Sequence, residues 1–272
     1  MKRLIFLTLA AALSASFAWG ALGDIIACFP APDDYPVALA VPGNYHYYLW
    51  VYCNTSPYRI YRVSGNTGSV YSYFDSPLGY NTRGLTYSWN GGGGLPAGSY
   101  LWIGNYTRPN YVYRCNYSTG SIYASFPART KSIHGLAAKA IGDGGTSPTS
   151  MLVNNISTQY VYEKDLLTGS NISVFTAPEW SYDVAWDWRN ELVWSAYWTS
   201  PIVYGYTTNG SVVASFSMPP YTCPLGFAYT SNYLWVSTTT GNQAIWKIHC
   251  PEIADNINVV PASIGKIKAT YR

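Results

Sequence analysis

Charge is scarce in this chain. Asp, Glu, Lys and Arg make up 11% of its 272 residues, with 16 basic against 13 acidic side chains. No basic run occurs, so the electrostatic footprint of a nucleic-acid-binding protein is missing. Histidine is limited to three positions, His46, His134 and His249, in different contexts and at no ligand-pair spacing. That pattern excludes a zinc centre, and no other cofactor is expected. There is no G-x-S-x-G elbow, no dinucleotide fingerprint and no P-loop. The glycine run at 91–94 opens no helix and is not followed by Lys-Ser/Thr, so it reads as a hairpin loop. After residue 20 no stretch is apolar enough to span a bilayer.

The exception is the N-terminus. Lys2 and Arg3 precede the apolar stretch 4–13, and Ala18-Trp19-Gly20 supplies small residues for cleavage. Residues 1–20 read as a secretory signal, too short for a membrane anchor, which places the mature protein outside the cell or on its surface. Without Lys2 and Arg3, 14 basic side chains face 13 acidic ones. Export permits disulfides among Cys28, Cys53, Cys115, Cys223 and Cys250. The odd count leaves at least one thiol free or pairing between molecules. The pairing stays open, as does the plainer reading of buried, unpaired thiols.

What is abundant is aromatic: 17% of the chain, including 27 Tyr. A ten-residue phrase recurs five times: GDIIACFPAP at 23–32, GSVYSYFDSP at 68–77, GSIYASFPAR at 120–129, GSNISVFTAP at 169–178 and GSVVASFSMP at 210–219. Its phenylalanines fall at 29, 74, 126, 175 and 216, a spacing of 45, 52, 49 and 41 residues. Recurrence at that length signals a propeller or solenoid.

Each phrase closes a unit of strand-like segments rich in Val, Ile, Tyr and Trp, bounded by Gly, Asn, Ser and Pro. In the first unit the strands are predicted at 37–41, 48–52, 58–63 and 69–74, and in the fourth the innermost at 183–188. The fifth unit supplies strands at 226–230, 233–237 and 244–248, then Cys250-Pro251. It has no closing phrase. The N-terminal copy supplies the missing strand through Asp24, Ile25, Ile26, Ala27, Cys28 and Phe29. The expected fold is therefore all-β, a five-bladed propeller over 21–250 closed by an N-terminal outer strand, with a short C-terminal tail at 251–272. Closure in this manner leaves no unpaired edge on the last blade. The pairs Leu49-Trp50, Leu101-Trp102, Val193-Trp194 and Leu234-Trp235 hold the same mid-strand place in four blades, which makes them core.

The composite pattern G-L/F-x-[YW], LW[VI], IY[RK]V, TGS[IV]xxSFxxP resembles the blades of secreted bacterial β-propellers, relatives of the NHL and WD40-type propellers. The resemblance covers residues 23–250. It implies the fold and leaves the function open, because such propellers host many roles. Some relatives carry Asp where this chain has Ser88, Trp89 and Asn90 or Gly104 and Asn105, so calcium ligation of that kind is not expected.

Five-bladed propellers include glycoside hydrolases, which need carboxylates on several inner strands. Here VALAV, LTYSW, LAAKA and GFAYT carry none, and Asp183 and Asp187 share one strand. One strand cannot easily place an acid and a base across a sugar, so no catalytic residue is expected. If a ligand site exists, it lies on the rim where the inner strands begin. Residues just before them form a column, Tyr35, Arg83, His134, Tyr182 and Leu225, and neighbouring loops add Tyr106, Arg108, Tyr197 and Trp198. Aromatic rings and Arg suit sugar or peptide recognition. The tail 251–272 can pack on its own ring, add a strand to a neighbour or serve as a sorting signal. The expected role is a non-catalytic scaffold at the cell surface or in the matrix, possible as a filament subunit. Its partners would be proteins, copies of itself or surface glycans. The alternative is a lectin-like, glycan-binding propeller, with a hydrolase or lyase third.

Overall fold

The computed structural model describes residues 21–42, 47–90, 96–140, 148–240 and 243–253. The signal segment, His46, the glycine run at 91–94 and tail residues 254–272 lie outside them. β1 (Ile25–Pro30) comes first. The first blade follows: β2 (Pro36–Ala40), β3 (Tyr48–Cys53), β4 (Arg59–Ser64) and β5 (Val70–Asp75). The second is β6 (Thr82–Asn90), β7 (Gly98–Asn105), β8 (Tyr111–Asn116) and β9 (Ile122–Pro127). The third is β10 (Gly135–Lys139), β11 (Ser150–Asn155), β12 (Tyr160–Asp165) and β13 (Asn171–Thr176). The fourth is β14 (Ala185–Asp187), β15 (Leu192–Ala196), β16 (Ile202–Tyr206) and β17 (Val212–Ser217). β18 (Pro224–Thr230), β19 (Tyr233–Thr238) and β20 (Ala244–His249) complete the chain. One 3-10 turn, Gly79–Asn81, is the sole helical element among the described residues.

Each blade is a four-stranded antiparallel sheet, and the fifth runs β18-β19-β20-β1. Phe29 pairs with Ile245 and Cys28 with Trp246 in that sheet, with a bulge between Ile25 and Ala27. The backbone bonds continue past the strand: His249 donates to Asp24 at 2.8 Å and Ala31 to Gln243 at 2.9 Å. The inner strands touch in a closed circuit, β2 to β6 to β10 to β14 to β18 and back to β2. Between each pair of adjacent blades lies one apolar cluster. The mid-strand tryptophans fill these clusters, with Trp50, Trp102, Trp194 and Trp235 all at most 2% exposed. Three of the four indole N–H groups find a hydrogen-bond partner, and that of Trp235 has none among the described residues. Trp50 donates to the Tyr117 carbonyl, Trp102 to Ser88 Oγ and Trp194 to Asp187 Oδ2, at 3.1, 2.8 and 3.1 Å.

The geometry explains why the phrase begins with Gly and carries Phe. In four of the five copies the phrase glycine packs on the phrase phenylalanine of the preceding strand set, while Gly210 faces the Thr176 carbonyl instead. Side-chain carbons at Gly68, Gly120 and Gly169 would lie 2.5 to 2.6 Å from Phe29, Phe74 and Phe126. Gly23 is the fourth case, where a side-chain carbon would lie 2.8 Å from Phe216. In turn Phe29 packs on Trp235, Phe126 on Trp102 and Phe216 on Trp194, with ring centroids 5.9 to 6.3 Å apart. Gly68 has φ +74, so its place demands glycine twice, by backbone and by space.

Two expectations need correction. The inner strand of the fourth blade is shorter than 183–188, because Asp183 points its carboxylate at backbone amides of the neighbouring blades instead of continuing the ladder. No disulfide forms: Cys28, Cys53, Cys115, Cys223 and Cys250 are all free thiols. The three most buried sit in three different inter-blade clusters, Cys250, Cys53 and Cys115 in turn, and so cannot reach one another. Burial pushes the Cys115 thiol up to about 12 and raises Cys53 and Cys250 as well.

Candidate functional site

The loops before the inner strands converge on one rim of the ring, and there the structure opens a cavity of about 410 Å³. Four members of the predicted column, Tyr35, Arg83, Tyr182 and Leu225, line it together with Trp198. The volume falls in the range of small-molecule sites, about 300–1,000 Å³.

His134, the remaining column residue, stands behind this lining. Its ring meets the Tyr106 ring edge-on at 4.9 Å and the Tyr182 ring at 4.9 Å. Tyr182 meets Trp198 at 6.1 Å, and Trp198 meets Tyr197 at 6.3 Å. At the other end the Arg83 guanidinium lies 5.5 Å from the Tyr106 ring centroid. Six of the seven predicted site residues thus form one continuous arc, Arg83, Tyr106, His134, Tyr182, Trp198 and Tyr197. Arg108 is exposed and lies outside the arc and the cavity lining.

The electrostatics of the arc are one-sided. Arg83 Nη1 donates to the carbonyls of Tyr80 and Thr82, at 3.3 and 3.0 Å, which plants the guanidinium at the rim. Among the described residues neither ion pair involves it. His134 is 6% exposed, and neither ring nitrogen has a hydrogen-bond partner. Burial lowers its pKa to about 3, with Arg83 adding to the effect, so the imidazole is neutral. Tyr35 is held at φ +60 by two bonds: its N–H donates to Gln243 Oε1, and its carbonyl accepts from Asn54 N–H at 2.9 Å. Left-handed backbone at a large residue costs about 1–3 kcal/mol and persists where surroundings impose it.

Sequence reasoning missed the hydrophilic side of the cavity. Asn54 and Thr55 from the first blade, and Thr239 and Thr240 from the fifth, also line it. The signal was their register, since they occupy the loops equivalent to those of Tyr106 and Trp198.

A second cavity of about 50 Å³ lies among the inner strands of the five blades, lined by Leu39, Leu136, Val184 and Phe227 together with Thr86 and Thr230. Asp183 and Asp187 do not line either space. Asp183 is fully buried, and its Oδ1 accepts the amides of Leu136 and Val184 at 3.2 and 2.9 Å. Its Oδ2 accepts Phe227 N–H at 2.8 Å, so one carboxylate pins the third, fourth and fifth blades together. Asp187 accepts from Trp194 Nε1, Asn190 Nδ2 and two backbone amides. Burial raises both pKa values against the pull of these donors. These carboxylates hold the ring together. His249 lies apart from the arc, edge-on to Tyr233. No group of three His, Cys, Asp or Glu that could hold a metal occurs among the described residues. No helix among them is long and apolar enough to cross a membrane.

Together the ring and its open mouth define a five-bladed β-propeller with one aromatic, Arg-bearing rim cavity. Solved structures support that class. The chain is similar to Myxococcus xanthus glutaminyl cyclase at 10% identity, over 84% of this chain and 95% of that one, with a TM-score of 0.57. At such identity the likeness concerns the fold alone. No family model matches the chain, and no curated protein is similar to it in sequence.

Proposed function

We propose that this protein is a non-catalytic, extracellular binding propeller, and that the rim cavity is a lectin-like glycan site. The observation that carries this reading is the cavity itself. A space of about 410 Å³ is lined both by the aromatic residues Tyr35, Tyr182 and Trp198 and by the polar residues Asn54, Thr55, Thr239 and Thr240. Flat aromatic faces suit the C–H face of a sugar ring, and amide and hydroxyl groups suit its hydroxyls. The glycan reading, second to the scaffold at the level of sequence, moves ahead on that geometry. The exported location rests on residues 1–20. The test is a glycan array with the mature protein: binding should disappear in Trp198→Ala and weaken in Tyr106→Ala. Binding that is unchanged in both variants overturns the assignment.

A second reading, the cell-surface or matrix scaffold that assembles with copies of itself, has its own support. The outer strands of the blades expose apolar side chains on free edges, among them Val70, Tyr71, Ile122, Ile172 and Val212. Within those five strands Asp75 is the lone charged residue, and Arg59 pairs with it. Apolar edges without charged guards invite strand pairing between molecules. Mass photometry and electron microscopy, with and without residues 251–272, decide it: monomers in both cases exclude assembly.

A further inference from the structure

We infer that the rim cavity takes an acidic sugar, a saccharide whose ring carboxylate is received by Arg83. This rests on the glycan reading of the same site and adds the charge of its ligand.

Among the described residues Arg83 is the one charged side chain in the cavity lining, and no carboxylate lines it. The two acidic residues nearest in sequence to Tyr35 are engaged or turned elsewhere. Asp33 accepts Tyr61 Oη at 2.7 Å and the Asp34 amide at 2.8 Å, and Asp34 is exposed outside the lining. Arg83 therefore presents a guanidinium anchored through Nη1 to backbone carbonyls, with no carboxylate partner among the described residues. A planar guanidinium held in this way matches a carboxylate by forked, charge-assisted hydrogen bonds. Its field reaches the arc behind it, lowering the pKa of His134 and tempering the rise at Tyr182 and Tyr52.

A second observation concerns the arc behind the lining. His134 is 94% buried, yet both ring nitrogens lack partners. A buried polar group without a partner calls for an explanation. It sits edge-on between Tyr106, which lies under the Arg83 guanidinium, and Tyr182, which lines the cavity. The unfilled hydrogen-bonding capacity and the unfilled positive charge occur in one arc. In the same lining Trp198 and Tyr35 offer rings that are 42% and 49% exposed, available to the apolar face of the same sugar.

The experiment is a calorimetric titration of the mature protein with methyl glucuronide, methyl galacturonide, their uncharged methyl esters and the corresponding neutral glycosides. Wild type, Arg83→Gln, Arg83→Lys and Trp198→Ala are compared, with thermal unfolding as the check on folding. The acids should bind at least about tenfold more tightly than their esters. Arg83→Gln should remove that preference, Arg83→Lys should keep part of it, and Trp198→Ala should abolish the binding of acid and ester alike. Equal affinity for acid and ester, or a preference for the acid that survives in Arg83→Gln, overturns the inference. If neutral glycosides bind and only Trp198→Ala abolishes it, the glycan site stands and the acidic ligand falls. If no saccharide here or on the array binds, both fall.

Discussion

Replacing Gly68 by alanine tests why the repeat is built as it is. Two separate penalties follow from the structure. Gly68 sits at φ +74, and a non-glycine residue there costs about 1–2 kcal/mol. Its new side-chain carbon would also lie 2.5 Å from Phe29, 2.8 and 3.0 Å from two further atoms of that side chain. Phe29 is itself 5% exposed and packed on Trp235, so it cannot swing into solvent without opening the cluster between the fifth and first blades. Overpacking of that kind costs about 1–3 kcal/mol. The expected loss is about 2–5 kcal/mol, a large part of a typical domain's stability. Gly79 provides the internal control: it has φ +54 with nothing within 4 Å of the added carbon. Gly79→Ala should therefore cost about 1–2 kcal/mol, the backbone part alone. Urea unfolding of both variants measures the difference. A Gly68→Ala loss within about 0.5 kcal/mol of the Gly79→Ala loss would refute the interlock between glycine and phenylalanine.

Deleting residues 21–29 removes most of β1 and bares the β20 edge; the ring should unfold at lower temperature or gain oligomers by strand donation, and an equally stable monomer in calorimetry and mass photometry would contradict it. Phe29→Ala should cost about 3–5 kcal/mol in urea unfolding, because its ring fills the same cluster. Asp183→Asn turns an amide nitrogen towards backbone donors and should lose about 1–3 kcal/mol. The folded pKa of Asp183 lies above its unfolded value, so wild type is favoured by protonation at low pH, and that advantage fades as pH rises past about 4. The gap between wild type and variant should narrow from pH 4.5 to 7.5 in urea titrations; a widening gap would reverse the assigned direction. For His134 the sign is opposite. Its folded pKa of about 3 lies below the ordinary 6.5, so its contribution is full above pH 6.5 and declines as pH falls towards 3. His134→Phe should gain stability relative to wild type between pH 6.5 and 4, and parallel curves would contradict burial of a neutral imidazole.

Much of this was legible in the sequence because the repeat carries its own register. The phrase marked the outer strand of every blade, and the Leu-Trp pairs marked the second. The absence of a fifth closing phrase pointed to the N-terminal strand that pairs with β20. The same register allowed Arg83, His134 and Tyr182 to be read as one rim, and loop position added Tyr106, Tyr197 and Trp198. What stayed hidden depends on side-chain direction. Nothing in sequence separates Arg83, planted at the cavity, from Arg108, exposed on the next loop. Asn54, Thr55, Thr239 and Thr240 share the loop register of Tyr106 and Trp198, but their residue types did not stand out in a chain rich in them. The structural role of Asp183 also stayed hidden, because its three amide donors come from β10, the start of its own blade and β18, which meet only in the closed ring.

The central claim is that the rim cavity is where this propeller binds its ligand. Trp198 and Trp89 are 42% and 44% exposed, but Trp198 lines the cavity while Trp89 lies near the far end of β6. Saccharide binding by the mature protein, measured side by side for Trp198→Ala and Trp89→Ala, is therefore the most direct test. The account predicts that binding vanishes in the first and is unchanged in the second. Equal binding in both variants, or loss confined to Trp89→Ala, would contradict it.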